Sequence, residues 1–172
     1  MKARIENIGK ILVIGSSGYV GTVLTRYLSR KGYEIHTQDL MWFESVLSDV
    51  NIPEETSASH SVLDIRDIKS KDLEGFDIVI LLSAVSNDPI GKKFEGVTFD
   101  INHDSSVRVA RLSKEAGVSK FIFASSCSVY GIANQGSRKE SDKLNPLTAY
   151  AKSKALVEND LHLLSDKNFY CT

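Results

Sequence analysis

The segment Tyr150-Ala151-Lys152-Ser153-Lys154 sets a phenol and an ammonium four residues apart. On a helix that spacing brings both onto one face, one turn from each other. A phenol ordinarily keeps its proton to pH ~10. Using one as a base near neutrality takes about 4 kcal/mol of preferential phenolate stabilisation, which a neighbouring cation helps to supply. Taken alone, a Tyr and a Lys so spaced are more often an ordinary pair on a helix surface. A second kind of chemistry lies near the N-terminus, in Gly15-Ser16-Ser17-Gly18-Tyr19-Val20-Gly21. A pyrophosphate at a helix N-terminus needs free backbone N–H groups and a main chain it can approach without meeting side chains. Gly15 suits the tight turn, Gly18 the close approach and Gly21 the packing of helix on strand. By itself this pattern is as often a plain structural turn.

The context of the glycine loop narrows the choice. It follows the β-branched run Lys10 to Ile14, opens a helical stretch, and is trailed by Asp39 at the tip of the next predicted strand. A carboxylate there accepts hydrogen bonds from the 2'- and 3'-hydroxyls of an adenine ribose and repels a 2'-phosphate, so NAD is favoured over NADP. The competing reading of Asp39 is a capping or turn aspartate. Neither Leu40 nor Met41 offers a phosphate positive charge, while Arg26 and Arg30 on the following helix stay open as phosphate ligands.

These groups need a scaffold, and the apolar pattern supplies one. Lys10 to Ile14 reads as a buried strand. Val20, Val23, Leu24, Tyr27 and Leu28 recur at helical spacing, with Gly32 as C-cap. Strands are expected from Tyr33 to Gln38, near His60 to Leu63, over Ile78 to Leu82 and over Lys120 to Ala124, with another starting at Phe169 to Thr172. Helices are expected from about Asn102 to Ala116, closing on Gly117, and from near Thr148 to about Ser165. Met41 to Ser59 and Gly131 to Asn145 are polar enough for loops. Strands alternating with helices at this pitch imply right-handed crossovers, hence an α/β architecture with a doubly wound parallel sheet.

Composition excludes other classes. The 172 residues suit one domain with a real core, taken as 1–172, and they are 42% apolar and 25% charged with a net charge of -1. That balance argues against disorder and against a nucleic-acid footprint. No apolar run is long enough to cross a bilayer. The two cysteines, Cys127 and Cys171, lack the spacing of a zinc site or a disulfide framework, which suits a reducing cytoplasm. Cys127 has no motif partner to act as its base and is read as a packed thiol. His36, His60, His103 and His162 are scattered, so no metal is expected.

Several features occur together in one order. They are the GxxGxxG loop, Asp39, Asp64-Ile65-Arg66-Asp67, Leu82-Ser83-Ala84, Asn102, the run Ser125-Ser126-Cys127-Ser128-Val129-Tyr130-Gly131, and Tyr150-x-x-x-Lys154. In this the chain resembles the extended short-chain dehydrogenase/reductases, specifically the NAD-dependent nucleotide-sugar epimerase/dehydratase group. The resemblance implies a Rossmann fold with NAD as cofactor. It implies cofactor contacts at Gly15, Ser17, Gly18, Tyr19, Val20, Gly21, Asp39 and Leu40, adenine contacts at Asp64 and Ile65, and further contacts along Leu82, Ser83 and Ala84. It implies that Ser126 hydrogen-bonds the reacting oxygen, that Tyr150 is the general base, and that Lys154 binds the nicotinamide ribose and tunes Tyr150. Asn102 would be structural and water-organising, and Asn87 and Ser128 would be weaker substrate contacts.

The family's sugar 4,6-dehydratases carry an Asp-Glu pair where this chain has Cys127 and Ser128, so the resemblance favours an epimerase over a dehydratase. An NAD-dependent sugar reductase and a non-catalytic NAD-binding module are the alternatives. The resemblance further implies a nucleotide-sugar substrate and a homodimer built on the helices near 102–116 and 148–165. Relatives of this kind continue into a C-terminal substrate region, which is absent here. A truncated chain is the favoured explanation, ahead of a partial gene product or a short protein that works in a complex.

Overall fold

The computed structural model describes residues 9–42, 59–86, 93–132 and 136–172. Among these residues six parallel strands form one sheet: β1 (Ile11–Ile14), β2 (Ile35–Asp39), β3 (Ser59–Val62), β4 (Ile78–Leu81), β5 (Lys120–Phe123) and β6 (Tyr170–Cys171). Their spatial order is β3-β2-β1-β4-β5-β6. The order reverses between β1 and β4, so the chain winds outward in both directions from the centre of the sheet.

Both faces are covered, which is why β1 and β4 read as unbroken apolar runs rather than as alternating ones. Ile11, Val13, Ile35 and Ile80 pack on one face, with Leu24 and Leu28 of helix α1 (Tyr19–Arg30) lying against them. On the other face Leu12, Ile14, Val79, Leu81 and Phe121 meet Val107, Val109 and Ala110 of α3 (Ser106–Glu115) and Val157 and Leu161 of α4 (Ala149–Leu164). A short helix, α2 (Glu95–Phe99), runs through a π-helical stretch, Asp100–Ser105, into α3.

Two expectations needed correction. Val20, Val23 and Tyr27 are exposed; α1 buries Gly21 and Thr25 and leaves Leu24 and Leu28 half-buried. Two neighbouring apolar stripes run along this helix, and periodicity alone does not say which one faces the sheet. The helical segment also begins before Asn102, at Glu95. Gly96 and Thr98 are poor helix formers, and the π-helical stretch slips the apolar spacing out of phase, so the N-terminal turns carry little signal. By contrast, α4 starts where expected: Thr148 caps it by accepting the Ala151 N–H at 3.1 Å.

Candidate cofactor and catalytic site

A cleft of about 650 Å³ opens at the C-terminal ends of β1, β2, β4 and β5, across the point where the strand order reverses. Open α/β sheets bind ligands at this position. The glycine loop forms its floor. Gly15 ends β1 with φ +89°, where its N–H donates to the Gln38 carbonyl at 2.8 Å, and a Cβ there would lie 2.5 Å from the Ser83 nitrogen. At Gly21 a Cβ would lie 2.4 Å from the Gly15 carbonyl oxygen, so helix and loop meet backbone to backbone. Gly18 differs, since its nearest neighbour would be 3.7 Å from a Cβ. A side chain at Gly18 would meet little protein, and what glycine keeps clear there is the cleft. Gly18 is also the N-cap of α1 and brings no side-chain acceptor, so the first-turn N–H groups at Tyr19 and Val20 stand at the cleft without a side-chain cap.

Asp39 is tied into the same loop. Its Oδ2 accepts the Ser17 N–H at 2.9 Å and its Oδ1 accepts the Met41 N–H at 2.8 Å. Met41 is held at φ +61°, in the left-handed region, and its sulfur accepts the Ser17 hydroxyl at 3.0 Å. The carboxylate therefore orients the loop and the chain after β2, which is the capping or turn role held open for Asp39 beside the ribose contact. Neither Arg26 nor Arg30 lines the cleft.

Beyond β2 the wall is made by Leu40, Trp42, Leu63, Asp64 and Ile65. Arg66 grips Asp64 with a fork, donating from Nε to Oδ1 at 3.1 Å and from Nη2 to Oδ2 at 2.8 Å, and this holds the Asp64 carboxyl below its ordinary range. Past β4 the cleft follows Leu82, Ser83 and Ala84 and continues to Val85 and Ser86, which the sequence reading did not reach. Val85 is clamped by the fully buried Asn102, whose Oδ1 accepts the Val85 N–H at 2.7 Å and whose Nδ2 donates to the Val85 carbonyl at 3.0 Å. Asn102 thus has the structural part expected of it.

The far end carries Ser125, Tyr150 and Lys154. Lys154 is 2% exposed; its Nζ donates to the Ala124 carbonyl at 2.7 Å and lies 4.4 Å from the centroid of the Phe123 ring and 5.7 Å from that of Tyr150. Burial draws its ammonium down to about 8, against the opposing pull of the Glu158 carboxylate. Glu158, one turn further along α4, accepts a hydrogen bond from Ser125. The i, i+4, i+8 spacing of Tyr150, Lys154 and Glu158 was visible in the sequence but drew no attention to Glu158.

Ser126 and Ser128 lie off this cleft's wall. Ser126 borders a neighbouring cavity of about 560 Å³ that shares Ser125 with the cleft. Its Oγ accepts the Ser128 N–H at 3.2 Å and the Ser128 hydroxyl at 2.9 Å, capping the 3-10 turn Cys127–Tyr130. Cys127 is exposed rather than packed, because the buried position of that turn is Val129. Asn87 lies outside the described residues. Among the described residues no cluster of His, Cys, Asp or Glu is arranged to hold a metal ion, and no helix is long and apolar enough to cross a membrane.

Residues 11–172 match the profile of the NAD dependent epimerase/dehydratase family. The chain belongs to this family. It is 31% identical over 160 residues to the N-acetyl-alpha-D-glucosaminyl-diphospho-ditrans,octacis-undecaprenol 4-epimerase of Escherichia coli O157:H7, covering 88% of this chain and 42% of that protein. It is 28% identical over 153 residues to the UDP-glucose 4-epimerase of Lactobacillus helveticus, covering 87% and 45%. Among solved structures, UDP-glucose-4-epimerase from Stenotrophomonas maltophila with bound NAD and formylated UDP-arabinopyranose aligns with a TM-score of 0.82 at 25% identity, over 91% of this chain and 48% of that one. The chain therefore spans a little under half the length of these relatives. The family is NAD-dependent. The cradle formed by Gly15, Gly18 and Gly21, with Asp39 beside it, fits a dinucleotide pyrophosphate followed by an adenine ribose.

Proposed function

We propose that this chain is the NAD-binding, catalytic part of a cytoplasmic epimerase that acts on a nucleotide-sugar, in surface-polysaccharide or sugar-nucleotide metabolism. One observation carries the reading: the cleft that begins at the glycine loop and Asp39 ends at Tyr150 and Lys154. NAD, when bound, supplies an acceptor and then a donor of hydride. Tyr150 takes the proton from the sugar hydroxyl whose carbon is oxidised and returns it after the sugar has turned its other face. Lys154 holds the nicotinamide ribose and favours the phenolate of Tyr150. Ser126, in the neighbouring cavity that meets the cleft at Ser125, already accepts two hydrogen bonds from Ser128, which leaves its own hydroxyl hydrogen to donate; its assignment to the reacting oxygen requires the substrate to reach across that junction. Cys127 and Ser128 offer no carboxylate pair to eliminate water, which supports epimerisation over dehydration. Asn87 and Ser128 are assigned to the sugar side. A second copy of the chain is the proposed partner, pairing through α3 and α4, and sedimentation as a monomer at high concentration would exclude it.

Incubation with NAD and UDP-glucose or UDP-N-acetylglucosamine, followed by NMR of the sugar protons, is expected to show two epimers interconverting without net consumption of NADH. Net consumption would assign a reductase instead. A folded protein that binds NAD yet turns over no nucleotide-sugar would be a binding module.

Two binding predictions follow from the geometry. Asp39→Ala is expected to weaken NAD binding about tenfold and to relax discrimination against NADP, by loss of the ribose contact and of the carboxylate's repulsion. An NAD/NADP affinity ratio equal to wild type would show that Asp39 serves only the loop. The second prediction concerns pH. Lys154 in the free protein titrates at about 8, and ribose hydroxyls that accept from Nζ favour the charged form, so binding above that pH takes up a proton. Affinity for NAD is therefore expected to hold steady below pH 8 and to fall above it by up to about tenfold per pH unit. Calorimetric titration across that range tests this, and Lys154→Met should bind weakly with a flat profile. The same depressed value makes the free protein gain stability as pH rises from about 8 toward the ordinary lysine value, because the unfolded chain then holds the extra proton.

A further inference from the structure

Arg108 lies on α3, half-buried and outside the cleft. Its guanidinium reaches main-chain carbonyls of a single short segment: Nη1 donates to Ile68 at 2.6 Å, and Nη2 donates to Ile65 and to Arg66 at 2.7 Å each. Within that segment the Asp67 N–H donates to the Asp64 carbonyl at 2.9 Å and the Arg66 N–H to Asp64 Oδ1 at 2.9 Å, bonds that close the turn on itself without tying its backbone to the rest of the fold. β3 is the edge strand and all of its residues are exposed, and Leu63 N–H to the Asp39 carbonyl, at 3.1 Å, is the bond that ties its end to β2. The chain then makes the 3-10 turn Ile65–Asp67, with Asp64 as its N-cap. Ile65 and Ile68 anchor the turn from inside through their side chains, and Arg108 holds it from the helix side with a planar fork suited to several oxygens at once.

The two residues that this turn presents to the cleft are Asp64 and Ile65. Asp64 accepts three bonds from Arg66, from the backbone N–H, Nε and Nη2, and keeps remaining lone-pair capacity for a ligand donor. An ionised carboxylate only accepts. It can meet the exocyclic amine of adenine, whereas the 6-oxo group of hypoxanthine would bring an acceptor against an acceptor. Such discrimination works only if the carboxylate stays at one distance from the base.

We infer that Arg108 is a positioning residue for base recognition: by holding the 64–68 turn it fixes Asp64 and Ile65 against the purine, so that the cleft selects adenine over a 6-oxo purine. The inference rests on the proposal that NAD occupies this cleft with its adenine at Asp64 and Ile65.

The test is calorimetric titration of NAD and of nicotinamide hypoxanthine dinucleotide into the wild-type chain, Arg108→Ala and Arg108→Lys. Wild type is expected to bind NAD about tenfold more tightly than the hypoxanthine analogue, the weight of one hydrogen bond to a charged group. In Arg108→Ala the NAD affinity should fall to that of the analogue, whose own affinity stays unchanged. Arg108→Lys keeps the charge but not the fork, so its ratio should lie between the two. If Arg108→Ala does not fold, the intermediate ratio in Arg108→Lys carries the test. An equal loss for both dinucleotides would show a merely structural role and overturn the inference, as would an unchanged ratio or a wild type that does not discriminate. Absence of NAD binding by the wild type would instead overturn the cofactor assignment and this inference with it. Binding with an unaltered ratio in both variants overturns the role of Arg108 alone.

Discussion

Tyr150→Phe is expected to lower epimerase turnover about a thousandfold while leaving NAD affinity nearly unchanged. Phenylalanine keeps the ring in the first turn of α4, so the helix cap at Thr148 and the packing beside Lys154 survive. What is lost is the hydroxyl that moves the proton, and among the described residues the polar groups beside it at that end of the cleft are already engaged, Ser125 by Glu158 and Lys154 by the Ala124 carbonyl. The loss should therefore fall on turnover and not on binding, and it should appear equally in single-turnover reduction of bound NAD by substrate. Lys154→Met contrasts with it, weakening NAD binding as well as turnover. Retention by Tyr150→Phe of a tenth or more of wild-type turnover would remove Tyr150 from the role of base.

Gly21→Ala is expected to destabilise the protein by about 3 kcal/mol, from forced overlap of a new methyl with rigid backbone. For a chain of this size that amounts to a fall of about 10 °C in Tm. Helix propensity alone points the other way, since alanine in place of a helical glycine is worth about 1 kcal/mol of stabilisation. The structure reverses the sign. The new Cβ would lie 2.4 Å from the Gly15 carbonyl oxygen and 2.6 Å from the Ser16 carbonyl group, and backbone cannot swing aside as a flexible side chain would. Relief requires α1 to lift from the loop, which would also dismantle the proposed pyrophosphate cradle, so NAD binding should be lost together with stability. Gly32→Ala is the control. Gly32 has φ +89° with nothing within 4 Å of a Cβ, so its cost is conformational alone, about 1 kcal/mol, with NAD binding intact. Thermal denaturation and NAD titration of both variants test this pair, and a Gly21→Ala protein as stable as wild type with unimpaired binding would sink the packing argument.

Much of this was legible in the chain before any coordinates. The β-branched runs of β1 and β4 carry no polar residue, so they had to be covered on both faces. Thr148 and Gly117 punctuate helices because a hydroxyl cap and a left-handed turn are local chemistry, and local chemistry is written in adjacent residues. Tyr150 and Lys154 share a helix face for the same reason. The residues assigned to the cofactor, from Gly15 to Lys154, line one cleft, although their spacing along the chain says nothing of that closeness.

Tertiary structure decided the rest, wherever two segments distant in sequence compete for one atom. The apolar stripe of α1 that faces the sheet was chosen by the contact of Gly21 with the loop, which the helix's own periodicity does not contain. Asp39 became a latch for the loop as well as a candidate ribose ligand once Ser17 and Met41 came within reach of its two oxygens. Ser126 gave its acceptor capacity to Ser128, and Cys127 faced outward because Val129 took the buried side of the turn. Arg108 sits about forty residues from the turn it holds. By itself the sequence determined which side chains could do chemistry and which elements would carry them. Only the folded chain decided which of their polar atoms were already engaged, because hydrogen-bond partners are set by proximity in space and not by order along the backbone.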